Sequence, residues 1–376
     1  MYASIRALKP AVSAQADETA DKRQVPKKLF DEIKKTKLFE TLRPRKYGGL
    51  ELSPLVLFEA QIALAESDMS AGWLAGVLGV SAFHLTLYHP DAQEEVWSSA
   101  EQPVISSGYT PTGNVTRYKD GYLLSGSWGF VSGCEHSNWV FLGAKTDDGE
   151  MLVCLVEREA VTIVDTWHVT GLKGTGSHDV TAKDVVVPDH RVISVSDRFH
   201  RQTPGLREAS PLYAIPFLQL QLRAISSASI GALRGFLSRC EEVNTKRVNA
   251  AQARARENPT FLAACGETAA ALHSMQIVLH QQMAHMLAAA HGEAELTIAD
   301  RQFYRYHSAK VTDDCCHLAY RLFQSLGGTA LRLENPFGRI LNDIQAARQH
   351  IANQCDAHAM AIGRLRMDPE TQDLIL

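Results

Sequence analysis

The sequence has no long apolar run and no block of like charge. No segment approaches the roughly 20 apolar residues that cross a bilayer, and residues 1–24 contain no continuous apolar stretch typical of a signal peptide. Lys and Arg are scattered among acidic residues in a chain of net charge −4, so no surface for a nucleic-acid backbone is predicted. We expect a cytoplasmic protein whose partner is a small molecule.

Cysteine and histidine are present without the spacing of a metal site. The seven cysteines include no CxxC pair. Cys315 and Cys316 are adjacent on a predicted helix, where successive side chains point about 100° apart, so a disulfide between them is not expected. His273, His280 and His285 have no carboxylate or cysteine at ligand spacing. No metal site is expected, and the cysteines are expected to be reduced.

What the sequence does contain is a pattern that changes from helix to strand and back, which predicts an α+β fold. Before about residue 103, apolar residues recur at helical spacing, and Ser53 and Pro54 form the cap and first turn of one helix. Short β-rich runs then follow one another without helices between them, which predicts an antiparallel barrel or sandwich and not a Rossmann unit. After a connection at residues 196–214, long Ala- and Leu-rich segments predict a helix bundle.

Three separated segments resemble the acyl-CoA dehydrogenase superfamily, in the order in which that superfamily has them. They are RPRKYGGLEL at 43–52, WHVTGLKGTGSHDVTAKDVVVP at 167–188 and FQSLGGTALRLENPFGRILNDIQAARQH at 323–350. The resemblance implies three domains: an N-terminal α-helical domain (1–102), a middle antiparallel β-barrel domain (103–195) and a C-terminal four-helix-bundle domain (196–376).

Four further segments are similar to the oxygenase components of two-component (group D) flavin-dependent monooxygenases, which include the seco-steroid phenol hydroxylase and the p-hydroxyphenylacetate hydroxylases. The segments are GWLAGVLGVSAFHLTLY, ISSGYTPTG, SGSWGFVSGCEHSNWVFLGAK and NDIQAARQHIAN. The resemblance implies a homotetramer that takes reduced FMN or FAD from a separate NAD(P)H-dependent flavin reductase. It further implies reaction with O2 through a C4a-hydroperoxyflavin and hydroxylation of an aromatic, phenolic small molecule.

One departure from the superfamily separates this chain from the fatty-acyl dehydrogenases. Many of those enzymes carry Tyr-Glu-Gly after the third segment, and its Glu removes the α-proton. Here His350 and Ile351 stand at that point, and an isoleucine cannot accept a proton. Three alternatives stay open: the same chemistry on indole or another N-heterocycle, an acyl-CoA dehydrogenase with a relocated base, and a helical scaffold that binds no flavin.

His350 is the first candidate catalytic residue, because the resemblance places it at the catalytic histidine of the hydroxylases. The pattern predicts that it lies in a C-terminal helix. A histidine with a pKa near ~6.5 can accept a phenol proton at neutral pH and hold the resulting phenolate, which is the electron-rich form of the ring. The alternative role is that of a capping or solvent-facing helix histidine.

Ser132 is the second candidate catalytic residue and also a candidate flavin ligand. The resemblance implies that its hydroxyl bonds near the flavin N5 and stabilises the C4a-hydroperoxide. The alternative is a turn serine that bonds its own backbone.

The other candidates are expected to bind flavin or to line an aromatic substrate pocket. Phe83 and His84 lie in the apolar segment 72–88 and are expected to form this pocket with His350, with core packing as the alternative role. By themselves, the remaining residues indicate only a strand turn and a loop. The resemblance places at the flavin Ser106, Ser107, Thr110, Gly174, Thr175, Gly176 and Ser177.

Overall fold

Helices, a sheet and further helices follow one another along the chain. The computed structural model describes residues 1–98, 102–207, 209–248 and 254–368. In the first of these ranges the helices are α1 (Tyr2–Ala14), α2 (Ala16–Lys22), α3 (Lys27–Lys35), α4 (Pro54–Ala65), α5 (Met69–Gly79), α6 (Ser81–Leu85) and α7 (Pro90–Trp97). Over the four ranges together, no helix is long and apolar enough to span a membrane.

Helices α4 and α5 lie at the centre of the N-terminal part. As predicted, the Ser53 hydroxyl caps α4 by accepting a hydrogen bond from the backbone N–H of Leu55, with Pro54 in the first turn. The Asp68 carboxylate caps α5 in the same way by accepting from Ala71 at 2.8 Å. Every residue of α5 is buried, because this helix contacts both the first strand of the sheet and the C-terminal helices. Side chains of α5 therefore reach the junction of all three parts of the chain.

A sheet of seven strands follows within residues 102–207. The strands are β1 (Ile105–Tyr118), β2 (Gly121–Val131), β3 (Trp139–Lys145), β4 (Met151–Glu157), β5 (Thr162–Val164), β6 (His178–Pro188) and β7 (Val192–Ser194). Their order in the sheet is β5-β6-β2-β1-β3-β4-β7. All neighbours pair antiparallel except β1 and β3, which run parallel.

The parallel pair corrects the prediction of a fully antiparallel sheet. Strand β2 folds back along the far half of β1, with Tyr118 opposite Gly121, and so returns the chain to the start of β1. After a 3₁₀ turn at Cys134–His136, β3 begins opposite Ile105 and must run in the same direction as β1. Alternation of apolar residues reports which strands exist but not on which side of a neighbour each is placed.

Six helices are described after the sheet. They are α8 (Val195–His200), α9 (Phe217–Lys246), α10 (Pro259–Ala290), α11 (Ile298–Ser325), α12 (Phe337–Arg348) and α13 (Cys355–Met367). Helix α8 corrects the prediction of an irregular connection at 196–214, because the Ser194 hydroxyl accepts from the backbone N–H groups of Ser196 and Asp197 and starts a short helix there. Two larger helices have side-chain caps as well, from Asn258 on α10 and from Thr297 with Asp300 on α11.

The hydrophobic core of the helices is continuous from the N-terminal to the C-terminal part, whereas the sheet has a second core of its own. Helix α9 connects the two helical parts, since it packs on α4, α5 and α11. A hydrogen bond from Gln61 Nε2 to the carbonyl oxygen of Ala224 joins α4 to α9 inside this core. The helices thus form one packed body on which one end of the sheet rests.

The segment between β5 and β6 fixes the sheet to both helical parts. The backbone N–H of Val25 donates to the carbonyl oxygen of Gly174 (3.0 Å), and the backbone N–H of Leu172 donates to Oδ1 of Asp343 on α12 (2.6 Å). Burial, together with the neighbouring Asp68 carboxylate, raises the pKa of Asp343 to about 7. Asp343 therefore joins α12 to the 167–188 segment through its carboxyl group.

Gly171→Ala is predicted to destabilise this junction. A Cβ atom at position 171 would lie 2.1 Å from the carbonyl oxygen of Asn342, and this contact is with backbone that cannot rotate away. We expect a loss of about 3 kcal/mol in the free energy of unfolding, at the upper end for overpacking, seen as a lower midpoint of thermal denaturation. The matched control is Gly266→Ala on exposed α10, where a Cβ meets no atom within 4 Å and should stabilise the helix by about 0.5–1 kcal/mol. Equal midpoints for Gly171→Ala and the unmodified protein would contradict the prediction.

Candidate active site

Ser132 lies at one end of a row of three hydroxyl groups, where β2 ends. Its Oγ lies 2.7 Å from Oγ of Ser177, which lies 2.7 Å from Oγ1 of Thr175, and the Thr175 hydroxyl donates to the carbonyl oxygen of Leu172 at 2.8 Å. Trp73 Nε1 of α5 also donates to Ser132 Oγ, at 3.2 Å. The structure therefore brings together three of the predicted residues, which come from two distant segments.

The direction of this row follows from counting protons. The single hydroxyl proton of Thr175 is committed to the Leu172 carbonyl, so Thr175 accepts from Ser177, and Ser177 in turn accepts from Ser132. Ser132 has then donated its own proton and receives the N–H of Trp73. What Ser132 offers to a ligand is a free lone pair, that is, a hydrogen-bond acceptor.

His350 contacts the same cluster through Trp73, with ring centroids 5.9 Å apart. The prediction that it lies in a helix is wrong. Helix α12 ends at Arg348, and His350 lies in the following turn with extended backbone, where it caps a 3₁₀ turn at Ile351–Asn353. The turn interrupts the helix and directs the imidazole back towards α5, a change that helical spacing alone does not reveal.

The protonation of His350 is fixed by burial and by one hydrogen bond. Burial lowers its pKa to about 4, so the ring is neutral at pH 7. Nδ1 accepts the backbone N–H of Ala352 at 3.1 Å. The single proton of the neutral ring is therefore on Nε2, and this nitrogen is a donor.

A second cluster surrounds the predicted His84. The His84 ring is fully buried and stacks on Phe217, with centroids 4.1 Å apart. Its Nδ1 lies 3.0 Å from the hydroxyl of Tyr109, which also bonds to Ser107, and its Nε2 lies 3.3 Å from Nη1 of Arg198. Burial and the Arg198 charge hold the pKa of His84 well below its usual value. Ser107 and His84, predicted separately, thus meet in one polar network with an aromatic wall.

Other predicted residues lie outside both clusters. Ser106 is fully buried and bonds to Ser137 Oγ at 3.0 Å, and Phe83 packs in the core against Tyr213. Thr110 is exposed on β1. Gly174 and Gly176 are buried where the 167–188 segment meets the N-terminal helices, and a Cβ on Gly174 would collide with Thr19.

Several side chains in or beside the clusters were not singled out from the sequence. Trp73, Phe130 and Tyr109 belong to motif segments, but a motif does not show which side chains face a site. Arg198 and Phe217 lie in or just after the presumed connection, where no pattern marks a site. The neighbouring Phe199 is the one signal that the sequence offers for Arg198, and Arg201 and Arg207 in the same stretch are not distinguished from it by any pattern.

The surface beside Ser132 fits a flat, partly polar ring such as a flavin. Phe130, two residues before Ser132, is 74% exposed and has a φ of 62°, which is unusual for a bulky aromatic residue. The Trp167 ring contacts it edge-on at 5.8 Å. An exposed aromatic face beside a row of hydrogen-bonding groups matches the apolar face and polar edge of an isoalloxazine ring.

One group of possible metal ligands lies elsewhere in the described part of the chain. Asp313, Asp314 and His317 of α11 have ligand atoms within 4.8 Å of one another. Arg348 pairs with Asp313 at 2.7 Å, and Lys310 pairs with Asp314, so both carboxylates already have cationic partners. This surface group is separate from the two clusters.

The order of helices, mixed sheet and helices, together with the hydroxyl row, defines a protein of acyl-CoA dehydrogenase-like fold. Residues 223–355 match the family model of the acyl-CoA dehydrogenase C-terminal domain. The structure of 3-HSA hydroxylase from Rhodococcus sp. RHA1 superposes with a TM-score of 0.95 at 31% identity, over 99% of this chain and 98% of that one.

Two relatives narrow this class. The chain is 32% identical to the flavin-dependent monooxygenase oxygenase subunit HsaA of Rhodococcus jostii, over 92% of this chain and 93% of that protein. It is 30% identical to the oxygenase component of an FADH2-dependent resorcinol hydroxylase of Rhizobium sp., over 96% and 92%. The chain belongs to the family of flavin-dependent monooxygenase oxygenase components. The resemblance drawn from its motifs is confirmed: it is an oxidoreductase that depends on reduced flavin and O2.

Proposed function

We propose that the protein hydroxylates a phenolic small molecule. The observation that carries this proposal is the neutral His350, whose ring packs against Trp73, the residue that donates to Ser132. The names of two relatives support it, since one is a resorcinol hydroxylase and another, 23% identical, is a p-hydroxyphenylacetate 3-hydroxylase. When bound, the reduced flavin supplies the electrons that activate O2, and one oxygen atom of O2 is passed to the substrate.

Ser132 is proposed to hold the polar edge of the flavin ring. Reduced flavin carries an N–H group at N5 that oxidised flavin lacks, and the free lone pair of Ser132 is the matching acceptor. Phe130 and Trp167 are proposed to cover the apolar face of the ring and to exclude water, which would otherwise promote release of peroxide. Thr175 and Ser177 orient Ser132, and Ser106, Ser107, Thr110, Gly174 and Gly176 are kept as proposed flavin-site residues.

His350 is proposed to hold the oxygen of the phenol in its ionised form. A donor at Nε2 stabilises a phenolate oxygen, and a phenolate ring is more electron-rich than a phenol ring. The same tautomer does not suit an indole, whose ring N–H needs an acceptor. The geometry therefore favours a phenol over an N-heterocycle, although one relative, 26% identical, is an indole-3-acetate monooxygenase.

The proposed assembly has further parts. The partner is a flavin reductase that delivers reduced FMN or FAD, since the relatives are named as subunits or components. Exposed apolar residues on α10 and α11, among them Ile277 and Tyr320, support a homotetramer.

The packing of α9, α10, α11 and α12 supports a four-helix bundle within a C-terminal domain of residues 196–376. A β-barrel domain at 103–195 and an N-terminal helical domain at 1–102 complete the proposed division. All seven cysteines are free, which supports a cytoplasmic location.

The first test mixes the protein and anaerobically reduced FMN or FAD with oxygenated buffer and a panel of phenols and indoles. We expect a transient flavin absorbance change before reoxidation, and hydroxylated product from phenols in excess of product from indoles. Product from indoles alone would overturn the choice of substrate. Reduction of bound oxidised flavin by an acyl-CoA without oxygen would replace the proposal by a dehydrogenase with a relocated base.

A further inference from the structure

Among the residues that the structure describes, no carboxylate pairs with the cationic Arg198. It lies on α8 and is half-buried, with its guanidinium carbon 5.4 Å from the centroid of the Phe217 ring. Its Nη1 lies 3.3 Å from His84 Nε2. Arginine in proteins is usually paired when it is removed from water, because burial of an isolated charge is costly. An unpaired half-buried arginine beside aromatic rings is therefore a candidate site for an anion.

The network around Arg198 has a fixed direction. An arginine only donates, so His84 Nε2 accepts, and the proton of the neutral imidazole is on Nδ1. Nδ1 then donates to the hydroxyl oxygen of Tyr109 at 3.0 Å. The Tyr109 hydroxyl receives this bond and keeps its own proton for another partner, which in the free protein is Ser107 or solvent.

Arg198 and Tyr109, at the two ends of the network, thus both offer hydrogen-bond donors, and neither end carries a negative charge. Arg198 has guanidinium N–H groups beyond the one directed at His84, and Tyr109 has a hydroxyl proton. The buried rings of His84 and Phe217 pack against Tyr109, and this half-buried tyrosine is the aromatic residue that a ligand next to these donors can reach. A ligand that satisfies this set has an aromatic ring and an oxyanion.

We propose that Arg198 is a specificity-determining residue that binds a carboxylate of the aromatic substrate. The proposal rests on the proposed function, since it assumes an aromatic substrate. It narrows the substrate class to phenols that also carry a carboxylate. His84 and Tyr109 act as positioning residues, because they hold the guanidinium and the aromatic wall in place.

The test measures equilibrium binding under anaerobic conditions in the presence of reduced FMN. Three probes are compared: 4-hydroxyphenylacetate, its methyl ester, which lacks the carboxylate, and 4-methoxyphenylacetate, which lacks the ionisable phenol. The variants are Arg198→Met, which removes the charge and keeps an unbranched apolar side chain, and Arg198→Lys, which keeps the charge. Circular dichroism and thermal denaturation check that both variants fold.

For a carboxylate, the unmodified protein should bind the acid about tenfold tighter than the ester, as expected for a charge-assisted hydrogen bond. Arg198→Met should remove this preference by lowering the affinity for the acid, and Arg198→Lys should retain part of the preference. The methyl ether keeps the carboxylate, so Arg198→Met should weaken its binding to the same degree as that of the acid.

Three results would overturn the proposal. They are equal affinities of the unmodified protein for all three probes, binding of none of them, and equal weakening of all three by Arg198→Met. The outcome is separate from that of the proposed function. An Arg198-dependent preference for the acid without any hydroxylated product would leave the anion site standing and reject the hydroxylase.

Discussion

His350→Ala is expected to lower the yield of hydroxylated product at least about 100-fold, the usual scale for losing a catalytic acid–base or hydrogen-bonding histidine. Oxygen should still reoxidise the flavin, with the oxygen atoms leaving as hydrogen peroxide. His350 contacts Trp73 and caps a turn but has no hydrogen bond to Ser132, so its removal should spare the flavin site. The measurement is rapid-mixing spectroscopy of the flavin together with chromatography of the product.

His350→Asn is the matched control for this prediction. The asparagine amide can still cap the turn and donate a hydrogen bond, so it should retain more product formation than alanine does. If both variants lost flavin reoxidation and product formation to the same degree, His350 would serve the fold and not the substrate.

The pH dependence gives a further signature of His350. Its pKa of about 4 means that the unmodified ring stays neutral between pH 6 and 8, so protonation of His350 changes no step in that range. His350 favours the phenolate by donating to its oxygen, so without this donor the phenol loses its proton to solvent only at higher pH. We expect the yield of His350→Ala to rise with pH until the phenol is ionised, while that of the unmodified protein changes little. A flat profile for the variant would contradict the phenolate role.

Ser132→Ala is expected to shorten the transient flavin absorbance change at least about tenfold, the effect of losing one hydrogen bond to a reactive group in a buried site. Alanine removes the lone pair that we propose for the reduced flavin and leaves the Trp73 N–H without its acceptor. Product should fall and hydrogen peroxide should rise by the same amount, as measured by stopped-flow spectroscopy and a peroxide assay.

Thr175→Val and Thr175→Ser test whether the direction of the hydroxyl row matters. Valine has the shape of threonine but cannot donate to the Leu172 carbonyl, so Ser177 is free to turn and Ser132 loses its fixed role as acceptor. Serine keeps the donor. We expect Thr175→Val to shorten the transient partway towards Ser132→Ala and Thr175→Ser to leave it near that of the unmodified protein. If the ratio of product to hydrogen peroxide were unchanged in both Ser132→Ala and Thr175→Val, the hydroxyl row would have no role in the reaction.

The motifs of this sequence were sufficient to identify the family, because each motif reflects what the backbone needs at one place in the chain. The glycines of the 167–188 segment are needed where backbones touch, as at Gly171 against Asn342. Cap residues such as Ser53 start helices through hydrogen bonds to neighbouring backbone groups, so they can be read one segment at a time. The missing Glu beside His350 is likewise a property of the sequence alone, and it separates this chain from the many dehydrogenases that carry that base.

The sequence by itself determined the order of helix, strand and helix, the candidates Ser132, Ser177 and His350, and the flavin chemistry that the family implies. Only the tertiary structure decided that β1 and β3 run parallel, that His350 leaves its helix and donates from Nε2, and that Arg198 meets His84 and Tyr109. These features depend on contacts between residues far apart in the chain. Side-chain periodicity records which face of an element is buried but not which partner covers it, and a proton is assigned only when the atoms on both sides of a hydrogen bond are known.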